Sequence, residues 1–239
     1  MNRQSQAAVL FLLGAALLHA GGTGLYLRYV KEGLRPLLLA AGVVLIAAAV
    51  ATVWYERRRA RAAARAHGDD HPEPRISWLL LLPLLALILV APPALGSYSA
   101  LRSGTALQKP YAYGALPTAD PAPLSVIDYA SRAAYGHGRS LHGRTVRVTG
   151  FLALDHSGAP YLVRMALNCC AADAQPVKIA LTGTLPPVLR PDAWLEVTGT
   201  YSPRLTRDPV NGGPIPYLKV TSAKPVPVPH DPYDETWNT

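Results

Sequence analysis

The chain carries two cysteines, Cys169 and Cys170, side by side in the phrase Asn168-Cys169-Cys170-Ala171-Ala172-Asp173-Ala174. Adjacent cysteines cannot staple distant segments. In an oxidising compartment they close a strained vicinal ring, pair with another chain, or persist as thiols that hold a soft metal. The strain of a vicinal ring makes it easy to reduce. Asp173 follows closely and offers a carboxylate to the same ion. Cys169, Cys170 and Asp173 are therefore the candidate metal ligands, and their chemistry suits a soft divalent metal such as zinc. Two small, weakly polar side chains packed at a strand end account for the same phrase without any ligand.

A fourth ligand would come from His137, His142 or His156, none of which stands at a diagnostic spacing. His67 and His71 bracket Asp69 and Asp70, a short His/Asp cluster of the kind that touches a divalent cation weakly. His19 lies inside a long apolar run, where an ionisable group invites a functional reading, although its place near the run's end equally suits an interfacial side chain. There is no Gly-x-Ser-x-Gly elbow, phosphate loop, His-Glu-x-x-His or separated Cys-x-x-Cys. No catalytic residue is assigned, and the reading is of a non-enzymatic protein. The alternatives are a thiol or redox protein using the cysteine pair, and a structural envelope protein.

Two unlike halves position these residues. Of 239 residues 50% are hydrophobic and 16% charged, and the apolar ones crowd into the first hundred positions. A hydrocarbon core about 30 Å thick needs about 20 apolar residues in a helix, whose backbone is satisfied internally. Ala7 to Leu27, Leu37 to Tyr55 and Ile76 to Gly96 each meet that requirement without an internal Asp, Glu, Lys or Arg. About three transmembrane helices, a multi-pass anchor over residues 1–96, are expected. Leu18-His19-Ala20 loosely resembles a signal-peptide cleavage site, but Leu18 is too large and Arg3 is a lone basic residue, so the first helix is read as uncleaved.

The net charge of +8 does not indicate nucleic acid, because residues 97–239 hold 13 Lys and Arg against 10 Asp and Glu. Much of the surplus is Arg57, Arg58, Arg59, Arg61, Arg65 and Arg75, the pattern of a cytoplasmic loop. With Arg3 these make 7 basic residues on one side against 5 on the other, which puts the N-terminus in the cytoplasm and the C-terminal domain outside it, at the cell membrane. Tyr26, Tyr29, Trp54, Tyr55 and Trp78 stand at segment ends, where amphipathic rings prefer the headgroup layer.

Residues 97–122 read as a linker dotted with Gly and Pro. From Pro123 to Gly136 apolar residues recur at helical spacing. Thr145–Leu154, Tyr161–Leu167, Val177–Leu181, Ala193–Tyr201 and Tyr217–Ser222 then read as strands, with Asp155-His156-Ser157-Gly158 as a hairpin turn. A helix followed by short strands predicts a mainly β, OB-like barrel over residues 123–239. Gly150 and Gly199 each end a similar strand before an aromatic or polar residue, where a small barrel coils sharply.

The order of parts, with Gly143-Arg144-Thr145-Val146-Arg147-Val148-Thr149-Gly150-Phe151, Leu162-Val163-Arg164, Cys169-Cys170-Ala171-Ala172-Asp173-Ala174 and His230-Asp231-Pro232-Tyr233, resembles the YcgQ-type family of proteins described as permease subunits. Its most specific part is the Cys170-x-x-Asp173 phrase after an Arg-containing strand. The resemblance implies a membrane-anchored, OB-like C-terminal domain, a separate multi-helix permease as partner, and no established catalysis. Some members carry a long His-rich loop; here it is reduced to His67 and His71. The expectation is an accessory subunit in the lipid bilayer whose exterior domain binds solute, metal or protein.

Overall fold

A computed structural model describes residues 3–63, 79, 81–90 and 92–234. Two compact units emerge, one of Met1–Tyr26 with Glu32–Pro93, the other of Leu27–Lys31 with Ala94–Thr239.

The first unit contains helix α1, Arg3–Thr23, and helix α2, Arg35–Ala63, of 21 and 29 residues. Both are long and apolar enough to cross a membrane. Pro36 sits just inside the start of α2, where the missing N–H costs no hydrogen bond, and Arg61 stands in its last turn, where a cation complements the helix dipole. The pair packs closely through glycines: a Cβ on Gly14 would fall 2.7 Å from Ile46 Cγ1 and 2.8 Å from the Gly42 carbonyl oxygen. Arg35 Nε donates to the Gly21 carbonyl at 3.1 Å. The expected third span, Ile76 to Gly96, is not shown. Its described residues form helix α3 over Leu81–Leu89, 9 residues, and Pro92–Gly96 lies outside any helix. Pro92 and Pro93 explain the stop, since proline lacks the donor and clashes with the preceding turn.

In the second unit, the stretch 97–122 carries helix α4, Ser97–Arg102, and reaches strand β1, Ala122–Leu124. Helix α5, Val126–Ala134, starts where the Ser125 side chain accepts the Asp128 N–H at 3.0 Å. Strands β2 (Thr145–Leu154), β3 (Pro160–Ala166), β4 (Gln175–Gly183), β5 (Trp194–Arg207) and β6 (Pro214–Pro225) follow, and then the short β7 (Tyr233–Asp234). Antiparallel pairing joins β2 to β3, β3 to β4, β5 to β6 and β2 to β5, while β4 and β6 run parallel. The circuit closes into a five-stranded mixed barrel.

Alternation along β2 decides which residues fill it. Val146, Val148 and Leu152 meet Leu162, Ile179, Val197, Leu218 and Val220 in one buried cluster. Helix α5 touches all five barrel strands and contributes Val126, Tyr129, Ala130 and Ala133 to that cluster, closing the barrel. The opposite face of the β2–β3 ribbon is apolar too: Phe151, Ala153, Val163 and Met165 form a second cluster with Ala100 of α4, Trp194 and Tyr233 of β7. A buried ion pair ties the chain before β1 to the barrel. Lys178 Nζ lies 2.7 Å from Asp208 Oδ2 and donates to the Ser103 carbonyl at 2.8 Å, while Asp208 also accepts the Thr105 N–H at 2.9 Å.

Candidate metal centre

Strand β3 ends at Ala166, opposite Gln175 of β4, and the chain between them must reverse direction. Leu167 anchors the outgoing side in the second cluster. A 3-10 turn over Ala171–Asp173 makes the return, with the Asp173 N–H donating to the Cys170 carbonyl at 3.0 Å. The Asp173 carboxylate then reaches back across the loop and accepts the Asn168 N–H at 3.1 Å and the Cys169 N–H at 2.9 Å. A carboxylate that serves its own loop's amides in this way fixes the loop without help from distant residues.

A second restraint arrives from far away in sequence. The Lys31 N–H donates to the Cys169 carbonyl at 3.1 Å, the Ala171 N–H donates to the Tyr29 carbonyl at 2.7 Å, and Val30 pairs antiparallel with Cys170. Cys170 is accordingly extended, at φ −152° and ψ 168°. The Tyr233 hydroxyl donates to the Arg28 carbonyl at 2.8 Å, one step earlier on the same segment. Tyr233 is itself held in register by pairing with Met165 and by Arg164, whose Nη2 donates to the Tyr233 carbonyl at 2.7 Å.

These restraints bring one ligand atom each from Cys169, Cys170 and Asp173 within 4.8 Å of one another. Two sulfurs on one zinc ion stand about 3.8 Å apart at Zn–S distances near 2.3 Å. The bound on the observed separations is comparable with that spacing. Both thiols are free, Cys169 is exposed, and Cys170 and Asp173 are partly buried. Two sulfurs and one oxygen leave a tetrahedral ion one position open to an outside donor.

Electrostatics couple the three. A hydrogen bond to the Asp173 carboxylate, then one to Cys170, pushes the Cys169 thiol up to about 12. Burial on its own would raise the Asp173 carboxyl, but hydrogen bonds from the Cys169 thiol and from the N–H groups of Cys169, Asn168 and Cys170 outweigh it and hold the acid below its usual range. The result is an ionised carboxylate beside a protonated thiol. A divalent cation held here would take the place of the thiol protons and leave the carboxylate ionised.

The histidines stand apart from this cluster. Among the described residues, no His side chain joins the group within ligand reach. His137 occupies a left-handed turn at φ 51°, His142 stacks edge-on against Tyr201 at 5.2 Å, and His156 is exposed in the β2–β3 turn. His19 is exposed on α1, its carbonyl accepting the Thr23 hydroxyl at 2.8 Å. His67 and His71 lie outside the described residues. The contribution of Tyr29, Val30 and Lys31 was invisible in the sequence, because a backbone pairing across some 140 positions leaves no local pattern.

Comparison with known proteins adds one finding. Residues 131–234, from within α5 through β7 and including the whole Cys-Cys loop, match the family model described as the DUF1980 C-terminal domain. No curated protein and no solved structure matches the chain.

Proposed function

We propose that this protein is a membrane-anchored, non-enzymatic accessory subunit whose barrel domain binds a soft or borderline divalent cation, zinc in the first instance, through Cys169, Cys170 and Asp173. The carrying observation is the convergence of the three ligand atoms within 4.8 Å in a loop restrained from two sides. Two thiolates select for zinc or a softer ion over magnesium or calcium, which prefer oxygen donors. The open position suits an ion that is received and passed on better than one locked in for structure.

Several features support the wider setting. The two long apolar helices support an anchor, and the arginines at the end of α2 support a cytoplasmic N-terminus with the barrel outside. The strand circuit, with a meander of β2, β3 and β4 and β6 running parallel to β4, supports the OB-like reading. Partnership with a separate multi-helix permease rests on the likeness to YcgQ-type proteins. A redox role for Cys169 is disfavoured by its raised thiol, because reactive thiols have depressed pKa values.

Elemental analysis and zinc titration of the full chain in detergent test the reading. About one ion per chain is expected, with loss of binding in Cys169→Ser, Cys170→Ser and Asp173→Asn while far-ultraviolet circular dichroism is unchanged. Absence of zinc binding by the folded parent chain overturns it.

A further inference from the structure

The ligand loop does not stand alone at the edge of the barrel. Both of its cysteines are bracketed by hydrogen bonds to one short segment: the Cys169 carbonyl takes the Lys31 N–H, and the N–H after Cys170, that of Ala171, is given to Tyr29. That segment is bound in turn to the domain's second cluster, through the Tyr233 hydroxyl on the Arg28 carbonyl. It is also the chain that joins α1 to α2, since α1 ends at Thr23 and α2 begins at Arg35. This pairing adds to the restraint that Asp173 already places on the loop from within.

We propose that residues Arg28–Lys31 are a positioning segment of the metal site and that metal occupancy is thereby coupled to the connection between α1 and α2. The proposal rests on the metal-binding reading given above. The backbone at Cys169 and Cys170 sets where their two sulfurs point, so the segment that fixes this backbone preorganises the ligands. When an ion draws Sγ of both cysteines and the Asp173 carboxylate together, the carboxylate is shared between the ion and the loop amides it now serves. More of the loop's restraint then falls on the pairing with Tyr29 and Lys31. Linkage makes the effect mutual: if the segment favours the ion-competent loop, the ion favours the docked segment by the same factor. Occupancy is in this way communicated to the first inter-helix connection.

Hydrogen exchange of the full chain in detergent, read by mass spectrometry with and without Zn2+, tests this. Saturating zinc is expected to slow exchange in peptides covering residues 27–31 and 169–172 by roughly threefold to tenfold, the equivalent of one backbone hydrogen bond's net worth. A peptide covering β2 serves as control and is expected to be unchanged. Lys31→Pro, which removes the donor to Cys169, is expected to weaken zinc binding by a similar factor of roughly three to ten. Tyr233→Phe loosens the segment without altering the loop, so it keeps the test sound should Lys31→Pro fail to fold; the same direction is expected for it. Zinc binding with unchanged exchange at 27–31, or unchanged affinity in folded Tyr233→Phe, overturns the coupling and leaves the metal site standing. Failure of the parent chain to bind zinc overturns both.

Discussion

Cys169 is the residue whose chemistry separates the readings of the loop most sharply. Its thiol is pushed up to about 12 by the Asp173 carboxylate and by Cys170, so the thiolate is scarce at neutral pH. Alkylation at Cys169 is therefore expected to be slow at neutral pH and to climb steadily as pH rises. Asp173→Asn removes the carboxylate that heads the causes of that shift, and is expected to speed labelling at pH 8 severalfold, measured by mass spectrometry after timed iodoacetamide pulses. Rapid labelling of the parent chain at pH 7 would point instead to a redox thiol. Lys178 and Asp208 belong to a different class of residue. Their side chains are 3% and 0% exposed, and truncating one member of such a pair strands a charge in the interior. Lys178→Met is expected to lower unfolding free energy by about 3 kcal/mol or more in urea titrations, with zinc affinity per folded molecule little changed.

At the scale of elements, strands and helices made mostly of local pattern were legible, and those made by distant pairing were not. Thr145 to Leu154 was legible as β2 to the residue, because alternation with β-branched residues between turn signals is a local property. Cys169, Cys170 and Asp173 could be named together because the three residues share one loop, where their ligand atoms converge. Helix α4 and strand β1 were hidden in a stretch with no period: Ala100 packs against Phe151 and Met165, and Ala122 pairs with Val146. Extension of β5 to Arg207 and of β6 from Pro214 was equally obscure, since Pro203, Pro214 and Pro216 argue locally against strand. The third apolar run is shown only over Leu81–Leu89, and Pro92 and Pro93 exclude helix at its far end. Gly150 and Gly199 stand where neighbouring backbone approaches closely: a Cβ on Gly150 would fall 2.7 Å from the Val163 carbonyl oxygen, and one on Gly199 would collide with the Lys219 carbonyl. Gly150→Ala is expected to cost about 1–3 kcal/mol in urea unfolding, as overpacking against backbone does; a neutral substitution would show that β2 and β3 can separate without loss.

At the scale of the whole molecule, the proposed orientation in the membrane can be measured directly. In a Cys169→Ser, Cys170→Ser background, Ser157→Cys is expected to react with a membrane-impermeant maleimide on intact cells, and Arg61→Cys only after lysis. The reverse pattern would invert the orientation and place the thiols in a reducing compartment. One feature bears on how the molecule is taken apart. Leu27–Lys31 belongs with the barrel although α2, α3 and everything up to Pro93 intervene in sequence. The domain is thus discontinuous, and a soluble fragment cut at the linear boundary near Ala94 leaves one of its own segments behind, the one that bridges Val30 to Cys170. Such a fragment presents the Cys169 carbonyl and the Ala171 N–H as a vacant edge, free to recruit a stray strand from a second copy. A dimer or a weakened zinc site found in that fragment would describe the excision and not the protein, and grafting residues 27–31 back by a flexible tether is the remedy the structure recommends.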